Sequence, residues 1–365
     1  MRLPFFIWAQ LVTSFLLLLA FPPLEAAGIF QLLDRVAGTH FFDPYMGGSV
    51  LLYQHLFWFL AHPEVYVLIL PALGIVAEVI ANNIRKPLWG YKSMVYSSVW
   101  LGFMSFIVWA HHMFLTGMGT TMSSFFMITT MIISIPSVII LSSLFLSLWG
   151  GSIRFNTPML FALSFLPMFG IGGLTGLPLG LATADIHLHD TYYVVGHFHY
   201  VVAPGTIFAI FAGIYFWFPK ITGKTMNEIL GKIHFYGSFI CMNGIFMPMF
   251  LQGLTGLSRR MANGGYDYAH AKDILYLNEI MSISAFALFA FQLFFIFNFF
   301  WTIFRKKYET ESDTNPWKAT TIEWTETTSP PLGHGNFEVI PKVYRGPYEY
   351  SVEGHSKDYY PQTEE

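Results

Sequence analysis

The chain has 365 residues, of which 54% are hydrophobic and only 11% are charged. Soluble globular domains carry about 25% charged residues. This composition therefore excludes an ordinary soluble protein and indicates a polytopic membrane protein, whose apolar surface a bilayer can cover. The net charge of -3 is small, and we expect no nucleic-acid partner. The single cysteine, Cys241, excludes a disulfide framework and any CxxC metal site.

Eight apolar runs are each long enough to cross a bilayer, which takes about 20 helical residues. They predict an all-α bundle of eight transmembrane helices with boundaries good to a few residues. The first run lacks the cleavage pattern of a signal peptide. The predicted spans are 5–33, 51–82, 94–117, 122–149, 157–182, 193–218, 229–254 and 275–304.

Charge divides the chain into a membrane-embedded part, residues 1–305, and an acidic, soluble C-terminal tail, residues 306–365. The tail carries 6 basic and 11 acidic residues. Most basic residues of the membrane part flank one side of the predicted bundle, which the positive-inside rule makes cytoplasmic. They are Arg2, Arg85, Lys86, Lys92, Arg154, Lys220, Lys224, Lys232 and Arg305, joined by Lys306 and Lys307.

Histidines cluster at one predicted depth of the bundle. His62 and Tyr66 are four residues apart and share a face of the second span. The adjacent pair His111 and His112 lies at the outer end of the third span. Ionisable side chains within a membrane usually mark function, and three converging imidazoles suit copper with one position left open. The alternative is three unrelated histidines in a belt of helix ends.

A second pair, His197 and His199, lies on the sixth span. Two helical residues differ by about 200°, so the rings point to opposite sides and do not suit a single metal. Each could be the axial ligand of a separate haem. For an isolated His-x-His the alternative, two packed helix histidines, would be the more common situation.

Charged groups near the outer side suggest two further sites. Asp185, His189 and Asp190 could hold a divalent cation, although a solvated loop is the usual reading of such a group. The adjacent Arg259 and Arg260 break the charge asymmetry, which suggests an anionic partner; a solvated pair is the alternative.

Glu64 is a carboxyl group within an apolar helix. Such a group is suited to loading and releasing a proton. The alternative is a protonated, hydrogen-bonded glutamate with no role in chemistry.

Together these residues resemble subunit I of cytochrome c oxidase, in the haem-copper oxidase superfamily, over nearly the whole chain. The tail, with Asn315-Pro316-Trp317 and Thr321-Ile322-Glu323-Trp324, resembles the bacterial form. The segments that carry the resemblance are long and specific: Trp58 to Tyr66 (WFLAHPEVY), Val108 to Phe114 (VWAHHMF), Gly172 to Gly176 (GGLTG) and His189 to Tyr200 (HDTYYVVGHFHY).

The resemblance implies a role for each matching residue. His62, His111 and His112 would bind the active-site copper, and Tyr66 would be covalently linked to His62. His197 would be the axial ligand of the oxygen-binding haem and His199 that of the low-spin haem. Glu64 would end a proton route. His189 and Asp190 would share a magnesium ion with a partner subunit, while haem propionates would be held by Arg259, Arg260 and Asp185.

The resemblance also implies the reaction, cofactors and partners. The reaction is reduction of dioxygen to water with electrons from cytochrome c, coupled to proton translocation. The hemes would be heme A. Partners would be a copper-bearing subunit II, subunit III, membrane lipid and, if subunit I is split, its N-terminal half. The location would be the bacterial plasma membrane.

The chain departs from the family pattern at three points. The family has about twelve spans, and these eight correspond to the last eight, so the second axial histidine of the low-spin haem would lie elsewhere. Ile140 replaces a lysine that feeds protons to the tyrosine. His187 is an additional imidazole to which no role is assigned.

Three other functions are weighed against this one. A quinol oxidase would have the same core and a different electron donor. A nitric oxide reductase is disfavoured because Tyr66 is present. A haem-free transporter or an inactive fragment would bind neither haem nor copper.

Overall fold

The computed structural model describes residues 1–308, 313–333, 337 and 339–365, and within them it contains helices and no β-strand. The predicted all-α class is therefore confirmed. Eight helical stretches are long and apolar enough to cross a membrane: Phe5–Val36, Val50–Ile84, Tyr91–Thr116, Gly119–Leu148, Thr157–Leu179, Tyr192–Thr222, Glu228–Leu254 and Tyr276–Phe304. The predicted spans agree with these to within a few residues at each end.

Eleven α-helices are described. They are α1 (Phe5–Val36), α2 (Val50–Ile84), α3 (Tyr91–Met104), α4 (Gly119–Leu148), α5 (Thr157–Leu179), α6 (Ala182–Leu188), α7 (Tyr192–Val202), α8 (Phe208–Thr222), α9 (Glu228–Leu254), α10 (Tyr276–Phe304) and α11 (Ile322–Thr325). Several spans begin at residues whose side chains cap the first free N–H groups, as Ser49 does for α2 and Asn156 for α5.

The sequence predicted one helical span here, but the third span is not a continuous α-helix. After α3 it continues as two 3₁₀ segments, Ser105–Ile107 and Trp109–Thr116. Val108 has φ −125° and ψ −3°, which breaks the helical path between them. In a regular α-helix the side chains of adjacent residues diverge by about 100°. The break instead lets the adjacent rings of His111 and His112 approach to 4.2 Å between centroids.

The sixth span joins α7 to α8 through a π-helical turn, Ala203–Ile207. Pro204 lies in this turn, and proline has no N–H to donate to the preceding turn. π-turns of this kind are often found near functional sites. The turn follows His197 and His199 directly along the chain.

The helix ends that carry most of the basic residues lie together, and we call this side the basic end. Arg154 N donates to Asn83 O at 2.9 Å, and Lys224 Nζ donates to Ile303 O at 2.6 Å. The main hydrophobic core runs from here along α2, α5 and α8. In contrast, the most apolar stretch of α10 buries none of its residues.

The tail packs against the basic end. Arg85, at the end of α2, pairs with Asp358 at 2.6 Å and is almost completely buried. Trp317 Nε1 donates to Phe216 O of α8 at 2.7 Å. The predicted boundary at residue 305 coincides with the end of the last membrane-spanning helix. Parts of the tail nevertheless pack into the hydrophobic core of the membrane part.

Candidate metal centre

Three histidines from two spans meet at one point. His111 Nε2 lies 3.0 Å from His112 Nε2, and His62 Nδ1 lies 3.3 Å from the same His112 atom. One ring nitrogen from each residue falls within 4.8 Å of the others. The structure therefore brings together the three residues that were predicted to share a metal.

Neighbouring side chains fix the orientation of these rings. His111 Nδ1 is 2.9 Å from Thr130 Oγ1 on α4, which leaves Nε2 turned toward the other histidines. Trp58, four residues before His62 on α2, stacks on His112 with ring centroids 4.0 Å apart. Partners of this kind hold metal-binding imidazoles in position. Neither Thr130 nor Trp58 was predicted from the sequence to have a role at this centre.

The donor set fits a soft or borderline divalent metal. Three imidazoles with no carboxylate or thiolate suit copper or zinc and leave one position for a ligand. The remaining ring nitrogen of His62, Nε2, is buried and has no hydrogen-bond partner among the described residues. The geometry alone thus supports a metal centre built on His62, His111 and His112.

Tyr66 lies beside this centre. Its ring centroid is 5.1 Å from that of His62, and the two rings are inclined at 66°. Residues four apart on a helix are neighbours on one face, so this proximity follows directly from their spacing. Glu64, two residues from each, is exposed on another face of α2 and does not join the cluster.

His197 and His199 face different surroundings, as their spacing predicted. His197 Nδ1 lies 2.8 Å from Gly172 O on α5. His199 Nδ1 lies 2.8 Å from Val195 O, and its ring stacks on Phe246 of α9 at 4.5 Å. Each histidine therefore uses Nδ1 for a backbone contact and keeps Nε2 for another partner, as an axial haem ligand does.

A glycine makes room for the His197 ring. A Cβ atom on Gly176 would lie 2.7 Å from His197 Cε1, closer than carbon atoms approach without displacement. By contrast, a Cβ on Gly173 would meet nothing within 4 Å. Only the second glycine of the Gly173-Leu174-Thr175-Gly176 segment is therefore required by the position of the imidazole.

Asp185, His189, Asp190 and Arg259 form one ion-pair cluster at the end of the bundle opposite the basic end. Asp185 is buried and its Oδ2 is 3.1 Å from His189 Nδ1, a hydrogen bond that raises the pKa of His189. Asp190 binds Arg259 at 2.6 Å. Burial acts to raise the pKa of Asp190, but the neighbouring guanidinium outweighs it and holds that pKa below its usual value.

The same cluster contains most of the residues that were predicted for magnesium and for haem propionates. His189 Nε2 is 3.9 Å from Asp190 Oδ2, so these two lie close enough to share a cation. Arg260 follows Arg259 with a left-handed backbone, φ 65°. His187 is exposed on α6, apart from this cluster of contacts.

A family model and curated relatives with similar sequences all match the same kind of protein. A family model described as cytochrome c and quinol oxidase polypeptide I matches residues 1–289. Cytochrome c oxidase subunit 1 of Synechocystis sp. is 47% identical over 96% of this chain and 62% of its own length. The alternative cytochrome c oxidase subunit 1 of Bradyrhizobium diazoefficiens is 44% identical over all of this chain and 63% of its own length.

A solved structure shares the fold. A chain from a cryo-EM structure of a heme-copper terminal oxidase dimer matches with a TM-score of 0.72 and 21% identity, over 85% of this chain and 58% of that one. The protein thus spans about three fifths of the length of the curated relatives it matches. From the family match and the eight membrane-spanning helices, we conclude that the chain belongs to the cytochrome c and quinol oxidase polypeptide I family.

Proposed function

We propose that this chain forms the oxygen-reducing core of a terminal respiratory oxidase, which reduces dioxygen to water with electrons from cytochrome c. The observation that carries the proposal is the convergence of three imidazoles beside Tyr66 in a chain of this family. Each turnover would combine one dioxygen with four electrons and four protons to give two waters.

His62, His111 and His112 would hold copper, and their donor set supports this assignment. His197 would be the axial ligand of the oxygen-binding haem and His199 one ligand of the low-spin haem. Both groups would be heme A. When bound, haem and copper supply the electrons that reduce dioxygen.

Tyr66 would donate a proton and an electron from its phenol when the O–O bond breaks. Its position one helical turn from His62 supports this role, because the hydroxyl-bearing ring lies against a copper ligand. The covalent link between His62 and Tyr66 is part of the same proposal. The phenol must recover one proton and one electron before the next turnover.

Glu64 would deliver protons for chemistry and for translocation. It lies two residues from both His62 and Tyr66 but on an exposed face of α2. A carboxyl at membrane depth on that face would be covered by further helices or by partner subunits. Its proton would come from the basic end, which we assign to the cytoplasmic side of a bacterial plasma membrane.

The ion-pair cluster at the opposite end would anchor the anionic groups. Arg259, Arg260 and Asp185 would hold haem propionates, which guanidinium groups bind through paired hydrogen bonds. His189 and Asp190 would hold magnesium together with subunit II. The partners would be a copper-bearing subunit II, subunit III and, if subunit I is split, a chain that supplies the remaining helices.

A quinol oxidase is the second candidate, since the matching family model names both activities. The metal centre would be the same, and the two differ in the electron donor. Purification of the chain with its membrane partners would decide between them. Reduced cytochrome c should support oxygen consumption, whereas consumption only with a quinol would favour the alternative.

The same preparation tests the oxidase proposal itself. Optical spectra should show haem, and metal analysis should find copper in addition to that of subunit II. In His111→Ala this additional copper and the activity should both be lost. The matched control is His187→Ala, because His187 is exposed and outside the centre. A wild-type preparation without haem, copper and oxygen consumption would contradict the proposal.

A further inference from the structure

Glu78 is a buried carboxyl that the proposed function does not use. It lies near the basic end of α2 and is 8% exposed. Its Oε1 accepts a hydrogen bond from Tyr348 Oη of the tail at 2.5 Å and another from Phe6 N at 3.2 Å. It takes part in none of the ion pairs recorded for the described residues. Burying an acid without a cation is costly and usually has a functional reason.

The tail closes the path from Glu78 to solvent. Tyr348 is almost completely buried, and its hydroxyl also accepts a hydrogen bond from Phe5 N at 2.7 Å. Its ring contacts that of Tyr91, the first residue of α3, at 5.8 Å.

A row of hydroxyl groups leads away from this point along the third span, from α3 into the 3₁₀ segment that follows it. Tyr91, Ser98 and Ser105 are spaced by seven residues, so each lies within about 20° of the one before it around the helix axis. Ser98 and Ser105 are fully buried. The residue after Ser105, Phe106, packs against the same hydrophobic cluster as Tyr66. The row thus joins the surroundings of Glu78 to those of the metal centre.

Helix α1 carries a buried polar group next to the residues that pack against α3. Thr13 is buried, and its hydroxyl has no hydrogen-bond partner among the described residues. The neighbouring Val12 and Leu16 pack in one cluster with Leu101 of α3, and Tyr66 borders that cluster. A buried hydroxyl without a protein partner marks a place where a water molecule can bind.

We propose that Glu78 accepts protons at the basic end and passes them along the α1–α3 interface to Tyr66, with Tyr348 as the entrance. This rests on the proposed function, in which Tyr66 must be reprotonated. Successive hydroxyls of the row are separated by a helical rise of about 10 Å, so water molecules would carry protons between them. Ile140, fully buried on α4, has an apolar side chain that cannot carry a proton.

Each transfer leaves the protein unchanged overall. Tyr348 gives its hydroxyl proton to the Glu78 carboxylate and takes another from water at the basic end. The Glu78 carboxylic acid then releases its proton into the row, and a proton reaches the Tyr66 oxygen. The electron that restores the phenol comes separately from the donor of the oxidase. Glu78 is therefore a relay residue that does not touch dioxygen.

The test uses the assembled oxidase with Glu78→Gln, Glu78→Asp and Tyr348→Phe. Glu25→Gln is the matched control, because Glu25 is an exposed carboxyl in the α1 span. Haem spectra and copper content should remain at wild-type level in every variant. Steady-state oxygen consumption should fall at least about tenfold in Glu78→Gln, recover partly in Glu78→Asp and fall several-fold in Tyr348→Phe. Infrared difference spectra should lose a carboxylic-acid C=O band in Glu78→Gln alone.

Unchanged turnover in a fully loaded Glu78→Gln enzyme would overturn the relay. If Glu78→Gln does not assemble, Tyr348→Phe decides, because it keeps the carboxyl and removes the hydroxyl; wild-type turnover in that variant would equally overturn the proposal. Failure of the proposed function can be told apart from failure of the relay, because the wild-type complex itself would then lack haem, copper and oxygen consumption.

Discussion

The indole of Trp58 lies parallel to the imidazole of His112, with ring centroids 4.0 Å apart and an angle of 10° between planes. Trp58 also shares a face of α2 with His62, four residues later. One side chain therefore links the two spans that supply the metal centre. Its large flat surface restricts rotation of the His112 ring.

Trp58→Ala should weaken metal binding without unfolding the bundle, because His112 loses the surface that orients it. Outer partners of ligating histidines typically contribute 10- to 100-fold in metal affinity. Copper retained after dialysis against a chelator, measured by mass spectrometry, should fall accordingly. Trp58→Phe should retain more, and Trp100→Ala, at an exposed position of α3, should behave as wild type.

Thr130→Val should also weaken the centre, since the side chain keeps its volume and loses the hydrogen bond to His111 Nδ1. We expect about a tenfold loss of copper affinity in the same competition assay. The matched control is Thr121→Val, at an exposed position of the same helix. Equal affinities for the two variants would mean that Thr130 does not orient the imidazole.

Gly176→Ala should displace the His197 ring, because the added methyl group would lie 2.7 Å from Cε1. Haem content, determined from the pyridine haemochrome spectrum, should drop strongly. Gly173→Ala adds the same methyl group where nothing lies within 4 Å, so it should leave haem content unchanged. Normal haem content in Gly176→Ala would show that haem binding does not require a glycine at this position.

Acidification should loosen the tail through Asp358. Burial acts to raise the pKa of this carboxyl, but the Arg85 hydrogen bond outweighs it and the pKa lies below its ordinary value. The pairing thus stabilises the docked tail fully above the ordinary carboxyl pKa of about 3.9 and is lost as the pH falls through the lower, folded pKa.

Limited proteolysis measures this release. At neutral pH, trypsin should cut Asp358→Asn within the tail faster than wild type, because the buried Arg85 loses its partner. Glu353→Gln, an exposed carboxyl nearby, should be cut at the wild-type rate. With an acid-active protease, the wild-type tail should become sensitive only as the pH approaches the carboxyl range. A tail equally resistant in Asp358→Asn would argue that other contacts hold it.

Local patterns in the sequence predicted much of this arrangement. Span length and hydropathy gave the eight helices, and a spacing of four residues gave the proximity of His62 and Tyr66. The convergence of His62 with His111 and His112 was expected from their similar depth in adjacent spans. These inferences depend on short stretches of chain or on the thickness of a bilayer.

Contacts between distant parts of the chain could not be predicted in the same way. Glu78 and Tyr348 are 270 residues apart, and no local pattern relates a tail tyrosine to a helix carboxyl. The 3₁₀ segments that turn both His111 and His112 inward follow from backbone angles at Val108, in a stretch whose hydropathy suits a regular helix. Glu78 itself carried a usable signal, since it is a carboxyl within a predicted span.

X-ray absorption at the copper edge tests the central assignment most directly. Once the copper signal of subunit II is subtracted, the purified oxidase complex should give a copper first shell of nitrogen or oxygen atoms. It should carry the multiple-scattering pattern of three imidazoles, from His62, His111 and His112. His112→Ala should remove that signal and His187→Ala should keep it. The assignment is contradicted if this copper is absent from the wild-type complex, or if its signal survives unchanged in His112→Ala.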